Sequence, residues 1–499
     1  MSIPALLREV ARSRPDATYS SGVAGDLTLA GLEVAAARAA AWLRVYGVRA
    51  GDRVAVVAGN GAPGHLPLVQ GLVLLRATWV PVNTRLRGDS LRHVLTDADP
   101  VLVIADEASA PSVRAVGVDL LELNPREWPD RAVVDADPGS DMDVLALMYT
   151  SGTTGPPKGV QVTERMWLAA AHGALVAAEC RSGDRLLVWE PWCHVGGAQV
   201  LLLPMLAEVS LAVVERFSAS HFWFEARRLG ATHIHHLGGI AQMLVRQPRG
   251  ELDRAHGVRV SWGGGIDANT WRELERRFGL RVHECYGLTE TSSICTVNTS
   301  GPDCGVGAPL PAFTVHVADA DGSPLPTGTT GRVLVSDSGA GLITPGYFGR
   351  PEATEVARSG GWWDTGDLGS FDAEGNLHLR GRASDSVRRR GENVSAQWVE
   401  QALLAHPAIV DAAVVAVPSD LADEEILAYL VTTEPVAQQE LVAHCRERLA
   451  DFEVPRFVRF VDALPKTPSQ RVAKGQLART SAGCLDLGII SRASAAAEE

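Results

Sequence analysis

Residues 149–160 read Tyr-Thr-Ser-Gly-Thr-Thr-Gly-Pro-Pro-Lys-Gly-Val, and this stretch limits the fold and the chemistry together. An apolar run, Val144 to Met148, enters it as a strand, so the loop opens at a strand end. After Thr150 the loop holds three hydroxyls (Ser151, Thr153, Thr154), the glycines Gly152, Gly155 and Gly159, and one cation, Lys158. Glycines let backbone N–H groups approach an anion closely, and hydroxyls with an ammonium complete a cradle for phosphate oxygens. A Walker loop needs Ser or Thr directly after its Gly-Lys to hold Mg²⁺. Here Gly159 follows Lys158, which excludes that class.

The text around the loop alternates strand and helix. Leu29 to Tyr46 has helical spacing ended by Gly47, and 52–58 reads as a buried strand. A helix is predicted near 64–76, followed by strands at 78–83 and 100–105; Pro81 suits a strand end or a sheet edge. Such alternation implies stacked α/β units with largely parallel sheets. From Gly301 the text turns rich in Gly, Pro and Thr, the mark of a β-rich subdomain. Past Gly381 a helix (396–405), strands (409–417, 426–431) and an amphipathic helix with Leu441, Cys445 and Leu449 on one face predict a separate cap. The expected architecture is α/β. A large N-terminal domain of stacked α/β sheets (1–380, β-rich at about 301–380) precedes a small mobile α+β C-terminal domain (381–480) and a frayed tail (481–499).

Composition narrows the partners. A formal charge of −13 argues against nucleic acid or an anionic membrane. Seven scattered cysteines without a Cys-x-x-Cys pair fit reduced thiols in a cytoplasm. Neither a signal peptide nor a membrane span is expected. Oligomeric state stays open.

Further motifs follow in order: His194 after Trp192-Cys193; Gly263-Gly264-Gly265 after a strand; Cys285-Tyr286-Gly287-Leu-Thr289-Glu290; Trp363-Asp-Thr-Gly-Asp367; Gly381-Arg382; Ser384-Asp385; Arg388-Arg-Arg390-Gly391. With the phosphate loop, this set resembles the adenylate-forming superfamily of acyl-CoA synthetases, peptide-synthetase adenylation domains and luciferases. The resemblance runs from about residue 25 to about 477. Through Arg216-Phe-Ser-Ala-Ser-His-Phe-Trp and Gly230-Ala-Thr, the stretch Phe217 to Gln247 resembles carnitine/crotonobetaine-type CoA ligases.

The resemblance implies an ATP-dependent ligase that uses Mg²⁺, with CoA as co-substrate and a small carboxylic acid as substrate. It implies Tyr286 and Gly263–Gly265 around adenine, Thr289 on the α-phosphate, and Glu290 on the metal. Asp367 would accept the ribose hydroxyls, Arg382 would bind the nucleotide, and Asp385 would be the interdomain hinge. Arg390 and Gly391 would lie on the CoA path, unless the three arginines are a solvated face. His194 would gate the acid pocket, with Trp192, Gly197, His236, Gly238 and Cys285 lining it. Those glycines and histidines suggest a short polar or aromatic acid. A metal site at His233, His235 and His236 is disfavoured, because no Cys or carboxylate stands at ligand spacing.

Two departures stand out. Ser384 replaces the family's Lys before the hinge Asp. Gln470-Arg471 replaces the Gly-Lys whose lysine serves adenylation, so either Arg471 takes that role or the step is weakened. Lys474 would substitute only if its loop shifts. A second hypothesis therefore keeps adenylation but changes the acceptor, to an amine, a carrier protein, or nitrite activated to diazotise an aryl amine. A third is nucleotide binding without catalysis.

Overall fold

The computed structural model describes residues 1–23, 25–134, 139–150, 157–382, 386–389, 392–418, 424–449, 453–467 and 471–487. The chain divides into two compact units. One comprises 1–315, 334–364 and 374–377; the other comprises 316–333, 365–373 and 378–499. Segments 316–333 and 365–373, expected in the N-terminal domain, group with the C-terminal unit. They are joined to each other by bonds such as Gly328 N–H to the Phe371 carbonyl (2.8 Å). The hinge candidate Asp385 lies outside the described residues.

Two sheets organise the first unit. The smaller runs Leu121–Glu122, Leu102–Ala105, Arg53–Val57, Thr78–Pro81, Val144–Thr150, Lys158–Thr163. Its first five strands are parallel and the last is antiparallel. Strands such as Arg53–Val57 read as unbroken apolar runs because helices cover both faces of a parallel sheet. Pro81 closes an interior strand rather than an edge. It lacks an N–H, and the ladder resumes at Val82, which donates to the Val56 carbonyl at 2.9 Å.

The larger sheet runs Ala308–Pro309, Thr296–Asn298, Arg281–Tyr286, Val260–Gly264, His233–Leu237, Arg185–Val188, Ser210–Val213, Thr18–Gly22, Leu27–Thr28. Its parallel centre aligns the carboxyl ends of His233–Leu237, Val260–Gly264 and Arg281–Tyr286. Ligands of open parallel sheets bind beyond those ends, so the topology alone gathers three of the singled-out motifs. One continuous core ties the first unit together, with Trp79 stacked on Trp167 at 5.7 Å.

In the second unit, Ile409–Pro418, Glu424–Thr432, Phe457–Phe460 and Leu485–Asp486 form a four-stranded sheet. The helices Ala396–Leu404 and Gln438–Arg446 pack on it, and Leu441, Cys445 and Leu449 are buried as their spacing requires. The expected frayed tail needs correction at its start. Leu485–Asp486 pairs with Phe457–Phe460, and Leu487 is buried in the same core, because an apolar side chain there completes the helix–sheet layer. Among the described residues no helix is long and apolar enough to cross a membrane.

Candidate active site

The strands Val144–Thr150 and Lys158–Thr163 form an antiparallel hairpin whose last pair is Thr150–Lys158. Of the loop between them, residues 151–156 lie outside the described residues. Their two anchors are nonetheless fixed, and Lys158 projects from the first position of its strand. Its ammonium lies over the ring of Tyr347, 4.7 Å from the centroid, a cation–π arrangement.

Tyr347 belongs to a segment laid along this hairpin. Phe348 N–H donates to the Gly159 carbonyl (2.8 Å), and Gln161 N–H donates to the Gly346 carbonyl (3.2 Å). The Tyr347 hydroxyl donates to Glu290 Oε1 at 2.8 Å. Glu290 sits in the 3₁₀ turn Thr289–Thr291, which Thr291 Oγ1 stabilises by accepting the Leu288 N–H (3.0 Å). Thr344 N–H binds the Glu290 carbonyl at 2.8 Å. One aromatic side chain thus joins the loop's cation to the carboxylate expected to hold metal. Tyr347 carries no motif of its own in the sequence; the Gly346-Tyr-Phe-Gly349 turn was its only signal.

Tyr347→Phe keeps the ring beneath Lys158 and removes the hydroxyl's bond to Glu290. Hydrogen bonds to charged groups contribute about 1.5–3 kcal/mol, so turnover should fall about tenfold or more in a pyrophosphate-release assay. Tyr347→Leu, which also removes the aromatic face, should lose more. Equal rates for wild type and the Phe variant would exclude the orienting role.

A second group forms where three parallel strands end. Gly263 backs directly onto its neighbour: a Cβ there would lie 1.8 Å from the His236 carbonyl oxygen. Gly238 is as confined, since its Cβ would meet the Gly265 carbonyl oxygen at 1.8 Å. The Cys285 thiol donates to the Gly263 carbonyl (3.0 Å), and burial pushes its pKa well above the usual thiol range. Tyr286 follows, buried, at the strand end. Gly263, Gly264, Gly265, Cys285, Tyr286, His236 and Gly238 are therefore brought together. Gly238→Ala should destabilise by about 1–3 kcal/mol in urea melts, because backbone and not a pliable side chain must yield.

The pocket assignments change in two places. His236 is fully buried; its Nδ1 pairs with Ser261 Oγ at 2.9 Å, and burial lowers its pKa to about 3. Its neighbour His235 instead lines a cavity of about 10 Å³ with Glu190, Gly197 and Trp262. His235 Nδ1 lies 2.8 Å from Glu190 Oε2, and its ring packs edge-on to Trp262 at 4.5 Å. Strand alternation puts these neighbours on opposite faces. Trp192 is core, packed on the His65 ring at 4.6 Å rather than facing a pocket. His194 stands at the start of the short helix Val195–Gln199, and Gly197 within that helix reaches the cavity.

In the other unit, Thr365 Oγ1 donates to the Val333 carbonyl (2.8 Å) and accepts the Asp367 N–H (3.1 Å), which fixes the Thr-Gly-Asp turn. Arg382 ends the strand Leu377–Arg382. Arg390 and Gly391 are outside the described residues. Lys474 pairs with Glu400 at 2.8 Å. The Arg471 carbonyl accepts the Thr467 N–H at 2.7 Å.

Residues 7–348 match the family described as AMP-binding enzyme, and 398–471 match its C-terminal domain. The chain is an AMP-binding enzyme. Among this enzyme's relatives is the sulfoacetate–CoA ligase of Cupriavidus necator, 32% identical over 95% of this chain and 97% of that one. A solved o-succinylbenzoate CoA synthetase of Bacillus subtilis, in complex with its acyl-adenylate, superposes with a TM-score of 0.85 at 27% identity, covering 94% and 97% of the two chains. The same Bacillus enzyme with ATP and magnesium ion gives 0.83 at 27%, covering 95% and 98%. The AMP-binding enzyme described here is accordingly an AMP-forming ligase of the adenylate-forming superfamily.

Proposed function

We propose that this ligase joins a small carboxylic acid to CoA. The substrate carboxylate attacks the α-phosphorus of ATP, the bond to pyrophosphate breaks, and an acyl-adenylate forms. The CoA thiolate then attacks the acyl carbon and AMP leaves. The Lys158–Tyr347–Glu290 arrangement carries this reading, because it sets a cation and a carboxylate on one rigid ring beside the phosphate loop. Catalysis by positioning and charge neutralisation needs little more from the protein.

Glu290 fits Mg²⁺. It is a single hard carboxylate, and this ion commonly binds through one or two carboxylates with substrate phosphates completing its shell. No cluster of three His, Cys, Asp or Glu among the described residues offers a dedicated cage. When bound, the ion would neutralise phosphate charge. Tyr286 and the Gly263–Gly265 loop supply a stacking face and a flat backbone platform for adenine.

The polar Glu190–His235 pair beside Trp262 supports a polar or aromatic acid over a long acyl chain. Free cysteines throughout the described chain support a cytosolic setting. The test is acid-dependent ATP–pyrophosphate exchange, run without CoA across short polar and aromatic acids. Exchange with one or a few of them identifies the substrate. Exchange with none, or only with nitrite plus an aryl amine, defeats the carboxylate reading.

A further inference from the structure

His236, Gly263 and Glu284 occupy one register across three parallel strands. Strands lie about 4.8 Å apart, so the outer two backbones are separated by about 10 Å. Any side chain on the middle strand would stand between them, and Gly263 has none. Across that gap Glu284 Oε2 faces His236 Nε2 at 3.5 Å, and both side chains are almost fully buried. The other carboxyl oxygen, Oε1, accepts the N–H of Gly265 (2.6 Å) and of Ile266 (3.3 Å). The next residue, Cys285, points to the opposite face of the strand and holds the Gly263 carbonyl.

We propose that Glu284, backed by His236 and Ser261, is a positioning residue that latches the Gly263–Gly265 loop in its nucleotide-binding shape. The strand Arg281–Tyr286 then grips the loop from both faces: Glu284 takes its amides on one side, Cys285 its carbonyl on the other. Burial holds the Glu284 carboxyl well above the usual carboxylate range and keeps His236 neutral. A neutral acid facing a neutral imidazole carries no buried net charge while still accepting two amide hydrogens. Ser261 fixes the ring at 2.9 Å, so the imidazole stands firmly against the carboxyl that holds the loop. The latch acts through the loop and touches no reacting atom.

This inference rests on the reading that Gly263–Gly265 bind nucleotide, so two readouts are needed. Amide hydrogen exchange of the full-length protein reports the latch itself; AMP titration calorimetry reports its purpose. Glu284→Ala should speed exchange at Gly265 and Ile266, and weaken AMP by about tenfold. Its ATP KM should rise while the acid KM holds. Glu284→Gln presents the same carbonyl oxygen without a titratable proton, and should keep AMP affinity within about threefold of wild type. If the Ala variant does not fold, Glu284→Asp, one methylene shorter, should show its losses. Unchanged exchange and affinity in the truncated variants, or a Gln variant as impaired as Ala, would overturn the latch alone. A wild type that fails to bind AMP would overturn the nucleotide reading and the latch with it.

Discussion

Glu290→Ala is expected to lower acid-dependent pyrophosphate release by about a hundredfold to a thousandfold, the scale seen when one preorganised electrostatic group is removed from a site. The physical reason lies in what surrounds the carboxylate. The Tyr347 hydroxyl holds Oε1 at 2.8 Å, and the same ring carries Lys158. Truncation removes the single hard ligand in this arrangement and leaves its orienting partner with nothing to orient. Lys158 keeps its aromatic support, so substrate binding should suffer less than turnover. A Glu290→Ala enzyme within about threefold of wild type at saturating Mg²⁺ would show that the carboxylate plays no part in phosphate chemistry.

Arg76→Ala should produce the largest loss of stability, about 3–5 kcal/mol, read from the urea transition of the first unit. Arg76 is 2% exposed and Glu164, its partner at 2.8 Å, is 1% exposed. The guanidinium also binds Asp143 Oδ2 at 2.8 Å and the Ser140 carbonyl. Glu164 in turn accepts the Ile3 N–H at 2.5 Å, fastening the helix Ile3–Ser13. Removing the arginine strands a buried carboxylate with only that one amide. The double variant Arg76→Met/Glu164→Leu removes both charges and should recover most of the loss, since burying two charges is itself costly. Equal destabilisation of single and double variants would mean that packing, not the uncompensated charge, is responsible.

The family was legible because its signature depends on local chemistry: a strand leading into a Ser/Thr/Gly/Lys loop, and an aromatic-Gly pair leading into Thr-Glu, carry it within a few residues. Strand alternation was legible for the same reason, and it placed the parallel sheets. Long-range pairings were not. Tyr347 lies 57 residues beyond Glu290, in a turn whose composition looks like any β-rich connection. The choice between His235 and His236 turns on a neighbour: Gly263 clears space on the His236 face, and Glu284 fills it from two strands away. On the other face Trp262 and Glu190 meet His235. Strand parity says that the two histidines diverge, but only the sheet order says which one reaches the cavity. Trp192 was misplaced because an aromatic beside His194 suits a pocket wall as well as it suits a core. The contact with His65, far away in sequence, decides for the core.

The most direct measurement is the stoichiometry of AMP and acyl-CoA thioester formed from ATP, CoA and the acid identified by pyrophosphate exchange. One AMP, one pyrophosphate and one thioester are expected per acid consumed, with matching loss of free thiol. AMP and pyrophosphate released without thiol loss, at a rate indifferent to CoA, would contradict this and move the acyl acceptor elsewhere.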